Sequence, residues 1–178
     1  MKTKIIFRLG LCLLSIFILS NSYSQKIAAH ASFYNADWEI KPADVSSLSK
    51  IISDEKVNRR VLIYFDKNFR NAEDIRWEEE DENLIANFKR GNITTKALFN
   101  KKGRLVYTID FYPEEMLPNS VETMVKRDYR KYTIKSSAKI CEANRQIWVV
   151  KLESKKDFAT VRLEDGQMEE VEKFQKQD

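Results

Sequence analysis

Residues 72–112 hold four short apolar runs, each followed by turn residues, and that spacing restricts the chain to a sheet. The runs lie at 75–77, 84–88, 94–99 and 105–112. Each has the length of a strand and is too short for a regular helix. Side chains on a strand alternate between two faces. Leu84, Ala86 and Phe88 therefore share a side, as do Ala97 and Phe99, and Ile75 and Trp77. In the last run the more apolar set is Leu105, Tyr107, Ile109 and Phe111, so these are assigned to the core. Alternation of this kind belongs to an antiparallel sheet with one covered face. Gly103 supplies the positive φ of a turn at 100–103, and Pro113 cannot extend the last strand.

The amino terminus carries a different signal. Lys2 and Lys4 precede an apolar stretch at 5–19, and small residues at Ser22 and Ser24 precede Gln25. This is the pattern of a secretory signal peptide, residues 1–24, cleaved after Ser24 and too short to span a membrane. The expected location is periplasmic or secreted. The leader takes Lys2, Lys4 and Arg8 with it, leaving 28 basic residues against 27 acidic ones. The net charge then falls from +4 to about +1, which removes the electrostatic case for nucleic acid. No second long apolar run follows, so the mature chain is expected to have no membrane span. Cys141 is then the only cysteine, which excludes an internal disulfide and suits a small buried side chain.

Residues 25–54 read as an extension or linker, with Ala31–Tyr34 and Trp38–Ile40 as short strand-like pieces. Val57, Val61, Tyr64, Phe65 and Asn68 recur at helical spacing and predict an amphipathic helix over 57–69. A second helix is expected after Pro118, capped by Asn119 or Ser120, with Val121, Met124, Val125 and Tyr129 on its apolar face. Strands are then expected at 133–141, 146–152, 158–163 and 168–174, with Asp165-Gly166 as a hairpin turn. Trp148, Val150 and Leu152 take the inward face of the second of these, and Ile147, Val149 and Lys151 the outward face. The predicted fold class is α+β. Two sibling helix-plus-four-strand halves, 57–112 and 118–174, would share an antiparallel sheet with both helices packed on one face.

Several words of this sequence resemble a known family. They are Phe69-Arg70-Asn71-Ala72 with Ile75-Arg76-Trp77, the turn Asn100-Lys101-Lys102-Gly103-Arg104-Leu105, and Leu117-Pro118 followed by Tyr132-Thr133-Ile134. They resemble the "F-P-N-A … V-K-W", "D-x-x-G-x-W" and "L-P … Y-x-I" segments of the PepSY-like family of exported bacterial proteins, also described as beta-lactamase-inhibitor-protein-like. The likeness covers about residues 57–174, within a PepSY-like domain placed at 55–178. Arg70 stands where the family has proline, and Leu105 where an aromatic is common. The resemblance implies a helix-on-sheet module that binds other proteins, and it transfers no functional residue.

Little in the chain suggests catalysis. His30 is the only histidine, so a Ser-His or Cys-His machine lacks its base. His30 and Cys141 cannot assemble a zinc site, and four scattered glycines build no phosphate loop. The chain is therefore read as a non-enzyme, with no cofactor, no metal and no catalytic residues. The acidic run 78–82 lacks the alternating spacing of a calcium loop and reads as a solvated hairpin tip. Lys126, Arg127, Arg130, Lys131 and Lys135 form a basic counterpart. The leading functional expectation is an exported binding module whose open sheet face contacts a protein or peptide. Its candidate residues are Leu98, Val106, Tyr112, Ile147 and Val149. A second expectation is an envelope accessory protein that binds ions or charged polymers through the acidic tip or the basic helix. Whether a partner or residues 25–54 cover the open face is left open by the sequence.

Overall fold

The computed structural model describes residues 50–176. They form one nine-stranded sheet, with strands in sequence order and every neighbouring pair antiparallel. The strands are β1 Lys50–Ile52, β2 Glu73–Glu80, β3 Asn83–Arg90, β4 Ile93–Phe99, β5 Leu105–Tyr112, β6 Thr133–Glu142, β7 Arg145–Glu153, β8 Asp157–Glu164 and β9 Gln167–Gln175. Helix α1, Arg59–Asn68, precedes β2, and α2, Asn119–Asp128, precedes β6. A single 3-10 turn leads into each helix, at Asp54–Lys56 and at Glu114–Met116.

Each run assigned to a strand within 72–174 lies in one. Strand β1 falls in the stretch read as connection, because three residues carry too little periodicity to register. Its Ile52 pairs with Trp77 and is buried with it. The pieces at 31–34 and 38–40, and His30, lie outside the described residues. The helix expected over 57–69 runs from Arg59 to Asn68, with the Asn58 side chain accepting a hydrogen bond from the Arg60 amide at 2.9 Å. Helix α2 differs at its start. Pro118 occupies the cap position, neither Asn119 nor Ser120 caps it, and no side chain does. The turn glycines behave as the sequence requires, Gly103 and Gly166 both having φ +75°. A Cβ on Gly103 would also stand 3.3 Å from Val61 Cγ2, so α1 approaches this turn closely.

Two apolar clusters hold the helices to the sheet. In the first, Val61 and Phe65 of α1 and the following Phe69 meet Trp77, Ala86, Phe88, Ala97 and Phe99. The Phe65 ring lies 4.9 Å from Phe88 and 5.2 Å from Trp77, both edge-on. In the second, Leu117, Val121 and Val125 meet Val150, Leu152, Val161 and Leu163. Burying each of the valine, leucine and phenylalanine side chains among these contributes about 1.5–3 kcal/mol. One row of directly paired residues connects the clusters: Phe88, Thr95, Asp110, Lys139, Trp148 and Leu163. The side of the sheet bearing this row is called the first face below.

The exit of α2 is tied down by two tyrosines. Tyr129 donates to Glu170 Oε2 at 2.8 Å, and Tyr132 donates to Asp157 Oδ2 at 3.1 Å. Burial first, and then the Glu170 carboxylate, push the Tyr129 phenol up to about 12. The unfolded chain would release this proton near pH 10, before the folded one does. The contact is therefore fully stabilising below pH 10 and is lost as the pH rises towards 12. Tyr129 is partly exposed, so the loss across that window is about 1 kcal/mol. Denaturant titrations at pH 9 and 11.5 should show it in the native chain, and Tyr129→Phe should reduce it.

Candidate functional site: the second sheet face

Three further rows of direct pairs run across the opposite side of the sheet. One is Ile85, Leu98, Tyr107, Glu142 and Arg145. The next is Lys96, Ile109, Ile140, Ile147 and Glu164. The third is Thr94, Phe111, Ala138, Val149, Arg162 and Glu169. No residue of either apolar cluster belongs to these rows. Apart from Lys96 and Thr94 on β4 and Glu142 and Arg145 at the far end of the first row, these rows are apolar from β3 to β7, and charged residues follow at Glu164, Arg162 and Glu169.

This register divides the five candidate residues. Leu98, Ile147 and Val149 lie together on the second face. Val106 and Tyr112 lie on the first, since Tyr112 pairs with Ser137 and Ser137 with Val150 of the second cluster. The Tyr112 ring packs 4.9 Å from Trp148, and burial, with Asp110 adding to it, raises the phenol. The parity assigned to β5 is accordingly reversed. Tyr107, Ile109 and Phe111 belong to the second face, and Thr108 and Asp110 to the first. The alternation does show two sets, but apolarity cannot say which set meets the helices when both sides of a central strand are covered. The informative signal was polar. Asp110 on the first face has partners waiting, for Arg90 Nη2 donates to its Oδ1 at 2.7 Å and the Thr95 hydroxyl donates to the same oxygen at 2.8 Å.

Charged networks bound the apolar middle. On the β7 to β9 side, Arg145 grips Glu164 with two hydrogen bonds, at 2.7 and 3.0 Å. Arg162 joins Glu164 to Glu169. Arg145 holds the Glu164 carboxyl below its ordinary range, against the opposing effect of burial. On the β2 side stands Glu78, which the sequence placed in a solvated tip. It is buried and accepts from Asn87 Nδ2 at 3.0 Å, because its parity turns it onto the sheet while Asp81 and Glu82 form the actual turn. Asp81 and Glu82 adopt φ of 49° and 64°, the geometry of a two-residue hairpin.

Several of the other charged candidates are engaged within the chain. Lys126 donates to the Tyr132 carbonyl, Arg127 pairs with Asp128, and Lys135 pairs with Glu153. Lys101 pairs with Glu82 at the acidic turn. Among the described residues no group of three or more His, Cys, Asp and Glu is placed to hold a metal ion. Cys141 is a free thiol near the end of β6, half-buried rather than fully buried. No helix among the described residues is long and apolar enough to cross a membrane.

Solved structures share this architecture. A DUF2874 family protein from Bacteroides ovatus superposes with a TM-score of 0.53 at 18% identity, covering 66% of this chain and 86% of its own. A BLIP-like protein from Bacteroides fragilis gives 0.52 at 17% identity, covering 64% and 86%. A third, a putative periplasmic protein from Bacteroides eggerthii, gives 0.52 at 13% identity, covering 67% and 88%. The likeness is one of fold. It extends to the BLIP-like part of the resemblance seen in the sequence, without singling out PepSY. No protein-family model matches the chain, and no curated protein does.

Proposed function

We propose that this chain is an exported, non-enzymatic binding module that contacts a protein or peptide through the second sheet face. The observation that carries the reading is the apolar middle of that face, bounded on both sides by buried or paired charges. An apolar centre with a charged rim is the anatomy of a protein-binding surface. The row from Phe88 to Leu163 runs from the first cluster to the second, which supports placing both helices on the first face. Each helix is followed by four strands, which supports two sibling halves, about 57–112 and 118–174, in a PepSY-like domain over 55–178. The leader-like residues 1–24 and the periplasmic description of one similar protein support export. The names of the similar proteins carry no enzymatic activity, which agrees with the absence of a catalytic set in the sequence.

The test is capture from an extract of the native envelope. Leu98→Ser with Val149→Ser, on the second face, should reduce recovery of the captured partner at least about tenfold. Tyr112→Ala, on the first face, should leave recovery unchanged. Melting curves establish that both variants are folded. Equal recovery by the folded second-face variant, or loss only with Tyr112→Ala, overturns the reading.

A further inference from the structure

The two helices differ in where their charges stand. Helix α2 has Glu122 in its first turn, as the positive end of a helix dipole favours. Helix α1 has no acid in its first turn and carries Arg59 and Arg60 there, where cations are unfavourable. The turn packed against this end is basic too. It runs from Asn100 to Arg104 between β4 and β5 and includes Lys101 and Lys102. A Cβ on Gly103 would lie 3.6 Å from Arg60 Cβ and 3.9 Å from Asn58 Cγ, which fixes the turn beside the start of α1. The turn between β8 and β9 comes as many strands after α2 and reads Glu164-Asp165-Gly166. The fold itself therefore does not demand cations at this place.

Arg59, Arg60, Lys102 and Arg104 are exposed, and none of the four enters an ion pair among the described residues. The acids nearby in sequence are Asp54 and Glu55 before the helix and Asp66 within it, and Glu82 is paired with Lys101. Hydrogen bonds hold both backbones in place. Asn100 Oδ1 accepts from the amides of Lys102 and Arg104, at 3.0 and 3.1 Å, as Asn58 does from that of Arg60. The four charges are thus assembled before any anion arrives. An isoleucine stands among them. Ile63 is 59% exposed, four residues after Arg59 and three after Arg60, on the side of α1 away from Val61 and Phe65.

We propose that this corner is a peripheral membrane-binding surface. Arg59, Arg60, Lys102 and Arg104 meet the phosphates of anionic lipid headgroups, and Ile63 enters the interface between them. A soluble polyanion would use the four cations and gain nothing from Ile63, whereas a bilayer surface takes both. Helix α1 packs on the first face, so a chain seated this way turns its second face away from the bilayer. The proposal stands whatever that face binds.

The test is sedimentation of the full chain with vesicles of phosphatidylcholine containing about a third phosphatidylglycerol. Arg59→Glu with Lys102→Glu should weaken binding at least about tenfold. Lys155→Glu with Lys156→Glu, an equal change of net charge between β7 and β8, should weaken it less than about twofold. Ile63→Ser should weaken vesicle binding about fivefold and leave binding to dextran sulfate unchanged. Arg59→Glu puts an acid at the positive end of α1, so the melting temperature should not fall and lost binding is not lost folding. Residues 1–24 are common to all variants, and a site-specific readout separates their effect. In a chain carrying Cys12→Ser and Cys141→Ser, an environment-sensitive fluorophore on Ile63→Cys should shift to the blue with these vesicles. The same fluorophore on Lys155→Cys should not shift. Equal losses in the two charge variants reduce the effect to net charge and overturn the proposal. So does the absence of a shift at position 63. Vesicle binding that Ile63→Ser leaves intact also overturns it, and assigns the corner to soluble polyanions if dextran sulfate binding falls in the Arg59→Glu, Lys102→Glu variant.

Discussion

Phe88→Ala is expected to cost about 3–5 kcal/mol of folding stability, the range for emptying a buried phenylalanine site. Phe88 is fully buried on β3, with the Phe65 ring 4.9 Å away and the Phe69 ring 5.0 Å away. These two aromatic contacts bind α1 and its exit to the sheet. Shortening Phe88 leaves a void that neither ring can fill, since Phe65 is also held by Trp77. Urea unfolding should show the loss as a shifted midpoint at unchanged slope. Phe174→Ala on β9, where the ring is exposed, should change stability by less than about 0.5 kcal/mol.

Asp110→Ala should cost about 2–3 kcal/mol. Asp110 sits on the first face in the same row that connects Phe88 to Leu163. It accepts from Arg90 and from the fully buried Thr95 hydroxyl. Removing the carboxylate leaves that hydroxyl without an acceptor and the guanidinium without its counter-charge. Breaking a buried pair from one side costs about 3–5 kcal/mol, and the partial exposure of Arg90 reduces this. Replacing both members, as Asp110→Val with Arg90→Met, should recover the part of the loss that comes from the uncompensated guanidinium, while the Thr95 hydroxyl stays without its acceptor. A double variant as unstable as Asp110→Ala would mean that the geometry of the strand, rather than the pair, is what Asp110 maintains.

The strand runs were legible because turn chemistry closes each one. Asp165-Gly166 and the glycine at 103 mark hairpins whatever the tertiary context, and the helices announced themselves by the spacing of Val57, Val61 and Phe65 and of Val121 and Val125. The division of faces was legible where one side of a strand carries polar residues, as on β3, where Asn87 and Lys89 alternate with Ala86 and Phe88. It failed on β5, the central strand, where Ile109 is buried on one face and Thr108 and Asp110 on the other. A strand covered on both sides has no polar side to mark the outside, and Asp110 reads as outward until Arg90 and Thr95 are seen around it. Val106 and Tyr112 were therefore grouped with Val149 although the register sets them on the other face. Glu78 was misplaced for a related reason. A run of five acids gives no hint that one of them turns inward to an asparagine across the hairpin.

The most direct test of the second face as the binding surface is site-specific photocrosslinking. A benzophenone side chain would be placed at Leu98, and separately at Ile63 on the exposed side of α1. Each protein would be irradiated with the captured partner bound. A covalent adduct to the partner from position 98 and none from position 63 is the predicted result. An adduct from position 63, with none from 98 while the partner remains bound, would place recognition on the helices and contradict it.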